Sequence, residues 1–133
     1  MDFFRTQLSL CGLSVDEAAQ FLAVERRRVR AWARNIAPVP THVLRRLSAL
    51  YSEQEDVADE IVQRWEEAGR PAEFKFAVSA TDEEARGLGW PSVSAQMIPA
   101  AIAQTVIAPV RIECVPLGVP AERADVPDLA DVA

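Results

Sequence analysis

The sequence contains little that an enzyme active site or a metal centre would need. Its 133 residues include one histidine and two cysteines, and Cys11 and Cys114 lie far apart, outside any CxxC or zinc-ligand spacing. It has no glycine-rich phosphate loop and no GxSxG nucleophile motif. The acid-rich stretches DEE and EQEDVADE are typical of solvated helix faces. We therefore predict no catalysis, no metal and no cofactor, and expect both cysteines to be buried thiols.

Long apolar runs are also missing. No stretch approaches the roughly 20 apolar residues that a membrane-spanning helix needs. The first residues, MDFFRTQLSLCG, carry an acid where a signal peptide would carry positive charge. Because 50% of the residues are hydrophobic, the chain should still fold around a core. We therefore expect a cytoplasmic protein with no membrane partner.

Cations are scarce overall and concentrated near one end. The chain has 14 Lys and Arg against 20 Asp and Glu, a formal net charge of −6. Residues 1–51 hold eight arginines and four acids, or +4, which leaves six cations and 16 acids, or −10, for the other 82 residues. This difference in charge between the two parts is typical of a protein in which one part binds a polyanion and the other part is repelled by it.

Three short helices are predicted in the first 35 residues. The first is indicated by Phe4, Leu8 and Cys11 at positions i, i+4 and i+7, and Gly12 can end it as a C-cap. The second begins after the N-cap Ser14, with Glu17 as its capping-box partner. The third runs from about residue 26 to 34, after a short connection. This spacing is typical of a helix-turn-helix.

Two further helices and a smaller α+β part complete the prediction. Apolar stripes predict a helix from residue 41 to 51 and another from 52 to 68, which GRP then ends. Beyond GRP, EFKFAV and VRIECV read as strands. Between them we predict a short helix capped by Thr81 and a longer one from about residue 92 to 107, kinked or interrupted by Pro99.

The predicted fold is therefore mainly α with a small α+β part. Residues 1–69 form a helix-turn-helix domain of five helices, and residues 70–118 form a strand-helix-strand domain. Residues 119–133 lack aromatics and pattern, so we expect a disordered acidic tail.

The third helix has two unlike faces on a helical wheel. The core-facing side holds Val29, Trp32, Ala33 and Ile36, and the opposite arc holds Arg27, Arg30, Ala31 and Arg34, flanked by Arg26 and Arg28. Crowded cations repel one another and oppose the helix dipole, so local physics disfavours this arrangement. It is either a solvated basic face or a functional surface. Arginine side chains can bind the edge of guanine, and a small apolar side chain beside them can contact the methyl group of thymine. This combination favours nucleic-acid binding.

The stretch AAQFLAVERRRVRAWARNIAPVP resembles the helix-turn-helix core of the Xre or lambda-repressor-like family. The layout of residues 1 to about 118 is similar to that of two-domain anti-CRISPR-associated repressors and YdiL-type regulators. The resemblance implies that the third helix lies in the major groove. It implies base contacts by Arg26, Arg27, Arg30 and Ala31, and backbone contacts by Ser14, Arg28, Arg34, Thr41 and His42. His42 is equally consistent with a plain surface histidine, Arg5 is a weaker candidate, and Arg45 and Arg46 are consistent with solvated side chains.

The resemblance also implies a homodimer formed through the strand-helix-strand domain. Independently, two strands alone make a marginal sheet, which pairing with a second copy would stabilise. The apolar residues of this domain are either interface or core: Phe74, Phe76, Ile98, Ile102, Val106, Ile112 and Val115. A two-fold dimer would bind an inverted repeat in double-stranded DNA.

The sequence and the resemblance together predict a transcriptional repressor that regulates its own operon. Two alternatives stay open. An antitoxin-like protein would keep the same DNA-binding surface and also mask a partner toxin. A regulator that also binds RNA would be expected to carry stacking aromatics on its basic surface, whereas Trp32 is predicted to point inward.

Overall fold

The computed structural model describes residues 3–117, which form six helices and two strands. In chain order the elements are α1 (Phe3–Leu10), α2 (Val15–Leu22), α3 (Arg26–Ala33), α4 (Thr41–Glu67), β1 (Glu73–Val78), α5 (Asp82–Gly87), α6 (Val93–Ile107) and β2 (Arg111–Pro116). The fold is mainly helical with one small sheet, as predicted. The predicted tail, residues 119–133, lies outside the described residues.

Helix α2 forms where its capping signals indicate, and α3 begins at Arg26, close to its predicted start. The Ser14 Oγ accepts a hydrogen bond from the Glu17 amide at 3.1 Å, and the Glu17 carboxylate accepts one from the Ser14 amide at 2.9 Å. These two bonds satisfy N–H groups that a helix start would otherwise leave unpaired. At the other end Ala23, with φ of 56°, terminates α2 in the left-handed region. The chain can therefore turn within a few residues into α3.

Helix α4 corrects the predicted division at residue 51. It is one continuous helix of 27 residues, so four helices, not five, precede the first strand. The stripe of Leu47 and Leu50 continues through Gln54, Ala58 and Ile61, all buried and three or four residues apart. No proline or glycine lies between Thr41 and Glu67 to end the helix. Ser52, at which we predicted the fifth helix to begin, does not start a new helix.

The second half of the chain is a strand, two helices and a parallel strand. β1 pairs with β2 in parallel, from Glu73 opposite Arg111 to Val78 opposite Pro116. Parallel strands require a crossover connection, and α5 and α6 supply it. The Ser92 Oγ caps α6 by accepting from the Ala95 amide at 3.1 Å.

Helix α6 continues through Pro99, where we predicted a kink or an interruption. Proline has no amide hydrogen, so the carbonyl of Ala95, four residues earlier, loses its normal helix donor. The buried side chain of Gln54 replaces that donor, because its Nε2 donates to the Ala95 oxygen at 2.9 Å. A side chain of α4 thus compensates for the proline in α6.

The two halves of the described chain share one core. Gln54 Nε2 also donates to the Cys11 carbonyl at 2.9 Å, so a single amide links the end of α1 to α6. At Gly12, φ is +73° and the space for a Cβ lies 2.8 Å from the Ser94 oxygen. Buried residues of α1 to α4 and of β1, α5 and α6 belong to one continuous hydrophobic cluster. Helices α1 to α4 are therefore packed directly against the second half of the described chain.

Candidate nucleic-acid interface

The inner face of α3 anchors the helix in the core. Val29, Trp32 and Ala33 are buried, as predicted. The Phe4 ring meets the Trp32 ring edge-on, with centroids 5.8 Å apart. These contacts fix the rotation of the helix, so its opposite face must point to solvent.

Ile36 was predicted to belong to this inner face and does not. Its side chain is 72% exposed. The helix ends at Ala33, and Asn35 adopts a left-handed conformation with φ of 58°. This reverses the chain, and the Ile36 amide donates back to the Ala31 carbonyl at 2.9 Å. The helical wheel therefore stops applying before residue 36.

The outer face of α3 brings most of the predicted readers together. One shallow cleft of about 270 Å³ is lined by Arg27, Arg30, Ala31, Arg34 and Ile36. The three arginines are exposed and Ala31 is half-buried. Guanidinium groups are planar, permanently charged and suited to bidentate contact with phosphates or guanine edges. We call this set of five residues the arginine cleft.

Two of the arginines at the start of α3 are paired with acids. The Arg26 Nε lies 3.2 Å from the Asp16 carboxylate, and an Arg27 terminal nitrogen lies 3.0 Å from that of Glu25. Both pairs are exposed, so each contributes at most about 1 kcal/mol and is readily exchanged for another anion. For Arg30 and Arg34, no acid lies within ion-pair distance in residues 3–117. Both can therefore bind an anion without first giving up an acidic partner of the described chain.

Two other arginines rest on aromatic rings. The Arg28 guanidinium lies 5.6 Å from the Trp32 ring centre, and that of Arg46 lies 4.7 Å from the Phe21 ring centre. Such cation–π contacts orient an arginine without neutralising it. Neither Arg28 nor the predicted base reader Arg26 lines the arginine cleft. The contact of Arg46 was missed, because nothing in the sequence brings residues 21 and 46 together.

The other predicted backbone contacts lie at helix starts. Ser14 is exposed immediately before α2, and Thr41 and His42 are exposed in the first turn of α4. Helix N-termini present unpaired amides and the positive end of the dipole, which favours anions. The Ser14 oxygen is already engaged by the Glu17 amide, but its hydroxyl hydrogen is still available as a donor.

The predicted interface residues separate into two groups. Phe74, Phe76 and Val115 are buried within the single chain, so of the two alternatives left open they are core residues. Ile98, Ile102 and Ile112 are half-buried, and Val106 is 65% exposed. Met97, 40% exposed, was not predicted; it lines an apolar groove of about 260 Å³ between α6 and β2 with Ile98 and Ile112.

The described residues contain little else that could react, bind a metal ion or enter a membrane. Burial raises the pKa of the Cys11 thiol to about 11 and also raises that of Cys114, so both thiols are protonated near neutral pH. Residues 3–117 contain no cluster of His, Cys, Asp and Glu that could hold a metal ion. Over the same range, none of the helices combines the length and the apolar character needed to cross a membrane.

Comparison with known proteins adds no assignment. No protein-family model matches the chain, and no curated protein matches it. Any functional conclusion therefore rests on the geometry and charge of the arginine cleft.

Proposed function

We propose that the protein is a sequence-specific DNA-binding repressor, which binds an inverted repeat as a homodimer and regulates its own operon in the manner of anti-CRISPR-associated repressors. The observation that carries this proposal is the arginine cleft. Arg30 and Arg34, without an acidic partner in the described chain, lie on a helix whose other face is held in the core. A rigid, exposed, cationic helix after a short turn is the arrangement with which helix-turn-helix proteins enter the major groove.

The distribution of charge supports a polyanion as the ligand. The first 51 residues carry +4 and the remaining 82 carry −10. The acids of α4 beyond Tyr51 and those of α5 lie on other elements than the cleft. A duplex would therefore be attracted to one surface and repelled by the rest, which orients the encounter.

Double-stranded DNA fits the surface better than RNA. Sequence-specific RNA recognition uses exposed aromatic side chains on which unpaired bases stack. In α3 the single aromatic residue, Trp32, is 3% exposed, and its neighbour Phe4 is also buried. The cleft instead combines guanidinium groups with the small side chain of Ala31, as major-groove readers do.

The dimer is supported by the apolar surface of α6 and β2. Met97 is exposed there and lines an apolar groove with the half-buried Ile98 and Ile112, and α6 also carries the exposed Val106 and the half-buried Ile102. Within residues 3–117 the two-stranded sheet also has a strand edge unpaired on each side, and unpaired edges favour association with another chain. A second copy placed here would give the two-fold symmetry that an inverted repeat requires.

Fluorescence anisotropy across a salt series tests this function. The probes are a duplex from the DNA immediately upstream of the coding region and a scrambled duplex of equal composition. We expect tight binding to the upstream duplex alone, with affinity falling steeply as salt rises. Sedimentation of the protein alone and with the duplex should give two protomers per site. Equal and weak binding to both duplexes would overturn autoregulation.

The remaining alternatives predict different outcomes in the same assay. Preference for a single-stranded or hairpin RNA of the upstream sequence would favour a regulator that also binds RNA. Release of the duplex on addition of the neighbouring gene product, with formation of a stable protein complex, would favour the antitoxin-like reading.

A further inference from the structure

Ile36 is an apolar side chain held in water among cations. It is 72% exposed, although it lines the same cleft as Arg27, Arg30 and Arg34. Its position is fixed by the backbone, because the left-handed Asn35 precedes it and its own amide is bonded to Ala31. Exposing an isoleucine costs free energy in proportion to its apolar area, so a ligand that covers it gains that energy.

The ligand of this cleft must present negative charge and an apolar group close together. The arginines select an anion, and Ile36 with the small side chain of Ala31 forms an apolar patch between them. In the major groove of DNA, only thymine offers a methyl group on its base edge, flanked by phosphates and by the acceptors of neighbouring bases. We propose that Ile36 is a specificity residue that contacts the 5-methyl group of a thymine in the bound half-site. This rests on the proposed DNA-binding function.

With Ile36, the surface that contacts bases extends beyond the end of α3. The wheel confines base readers to residues of α3, whereas Ile36 lies after its end. It also supplies a reason for a preference for DNA over RNA that is independent of the sugar, because uracil lacks the methyl group. A deoxyuridine in place of the contacted thymine would remove one methyl and leave every hydrogen-bonding group unchanged.

The experiment uses the full-length protein and the duplex that it binds specifically. Each thymine of one half-site is replaced in turn by deoxyuridine, and Kd is measured for the wild type, Ile36→Ala and the control Leu10→Ala. Leu10 is 52% exposed but lies on α1, away from the arginine cleft. Circular dichroism checks that the variants fold, which is expected for substitutions at exposed positions.

We expect deoxyuridine at one position to weaken wild-type binding by about fourfold, the value of one methyl group at about 0.8 kcal/mol. Leu10→Ala should keep that loss. Ile36→Ala should bind the thymine duplex more weakly than the wild type and should no longer distinguish thymine from deoxyuridine at that position.

Two results would overturn the inference while leaving the proposed function intact. One is specific wild-type binding that no deoxyuridine weakens. The other is an Ile36→Ala variant that retains the full thymine preference, which would assign the methyl contact to another residue such as Ala31. If no duplex is bound specifically by the wild type, the proposed function itself fails, and the inference fails with it.

Discussion

The arginines of α3 meet different local environments, which divides their expected contributions to binding. Arg26 and Arg27 already contact acids, and Arg28 rests on Trp32. Arg30 lines the cleft with no acid within ion-pair distance in the described chain. It can bind a base or a phosphate without first giving up another partner. Of the arginines predicted to contact bases, Arg30 is therefore the one at which substitution should be most informative.

We predict that Arg30→Ala weakens binding to the specific duplex by about 1–3 kcal/mol, or roughly fivefold to more than a hundredfold, and relaxes preference at one base position. Anisotropy with the specific and scrambled duplexes measures both effects. Arg86→Ala is the matched control, because it removes the same charge from the exposed surface of α5 and should leave Kd nearly unchanged. If Arg30→Ala weakens both duplexes equally, Arg30 contacts only phosphate.

For single residues, the sequence correctly predicted which side of α3 is buried but not where the helix ends. Helical periodicity correctly placed Val29, Trp32 and Ala33 inside, because one regular element determines all three positions. It failed at Ile36, because a single left-handed residue at Asn35 changes the direction of everything that follows. Asparagine is, after glycine, a common residue in that conformation at helix ends, so Asn35 was a usable signal.

Among the secondary-structure elements, the turn between α1 and α2 depends on a glycine for two separate reasons. Gly12 has a φ of +73°, and a Cβ there would lie 2.8 Å from both the Ser94 oxygen and the Ile98 Cγ1. Gly69 has a φ of +90° but has no atom within 4 Å of the equivalent position. Alanine at either site therefore suffers backbone strain, and only at Gly12 does it also collide with α6.

We predict that Gly12→Ala lowers the free energy of unfolding by about 1–3 kcal/mol more than Gly69→Ala does, since overpacking costs of that size add to a shared left-handed strain. Urea denaturation followed by circular dichroism measures the difference. Equal losses in the two variants would mean that the α1–α2 turn moves away from α6 at little cost.

Gln54 is a second link between α4, α1 and α6. Its Nε2 donates to the carbonyls of Cys11 and Ala95, and the latter lacks a helix donor because of Pro99. We predict that Gln54→Leu lowers the free energy of unfolding by about 2 kcal/mol, because it leaves buried carbonyls unsatisfied. Gln63→Leu, in the same helix but exposed, should change stability by no more than about 0.5 kcal/mol. Similar values for both would show that another donor reaches Ala95.

The link between Gln54 and Pro99 could not be predicted from the sequence. Proline at position 99 predicted a kink because its effect within one helix is local and well understood. The compensating donor lies 41 positions away from Ala95 on another helix, and no periodicity reports such a contact. The error in α4 has a different origin, because there the continuous stripe indicated one helix and a single polar residue suggested the start of another.

In the described chain, the packing of α4 against α6 joins the two halves into one rigid structure. The shared core, the Gln54 bridge and the close approach at Gly12 all cross the predicted boundary at GRP. We predict a single cooperative unfolding transition. The fluorescence of the three tryptophans, which lie in α3, in α4 and before α6, should change with the same midpoint as circular dichroism and calorimetry. A separate early transition of either half would contradict this.

A rigid connection has a consequence for the proposed operator. If two copies associate through α6 and β2, the packing of α6 against α4 and the α1–α2 turn fixes the distance between the two arginine clefts. Two base pairs inserted between the half-sites displace one of them by about 7 Å and rotate it by about 70°. We therefore predict that this insertion lowers affinity to the level of a single half-site, whereas the same two base pairs placed outside the repeat have no effect. Anisotropy with the three duplexes measures this. Undiminished binding to the spaced duplex would contradict this prediction, because the two clefts would then have to move independently in the dimer.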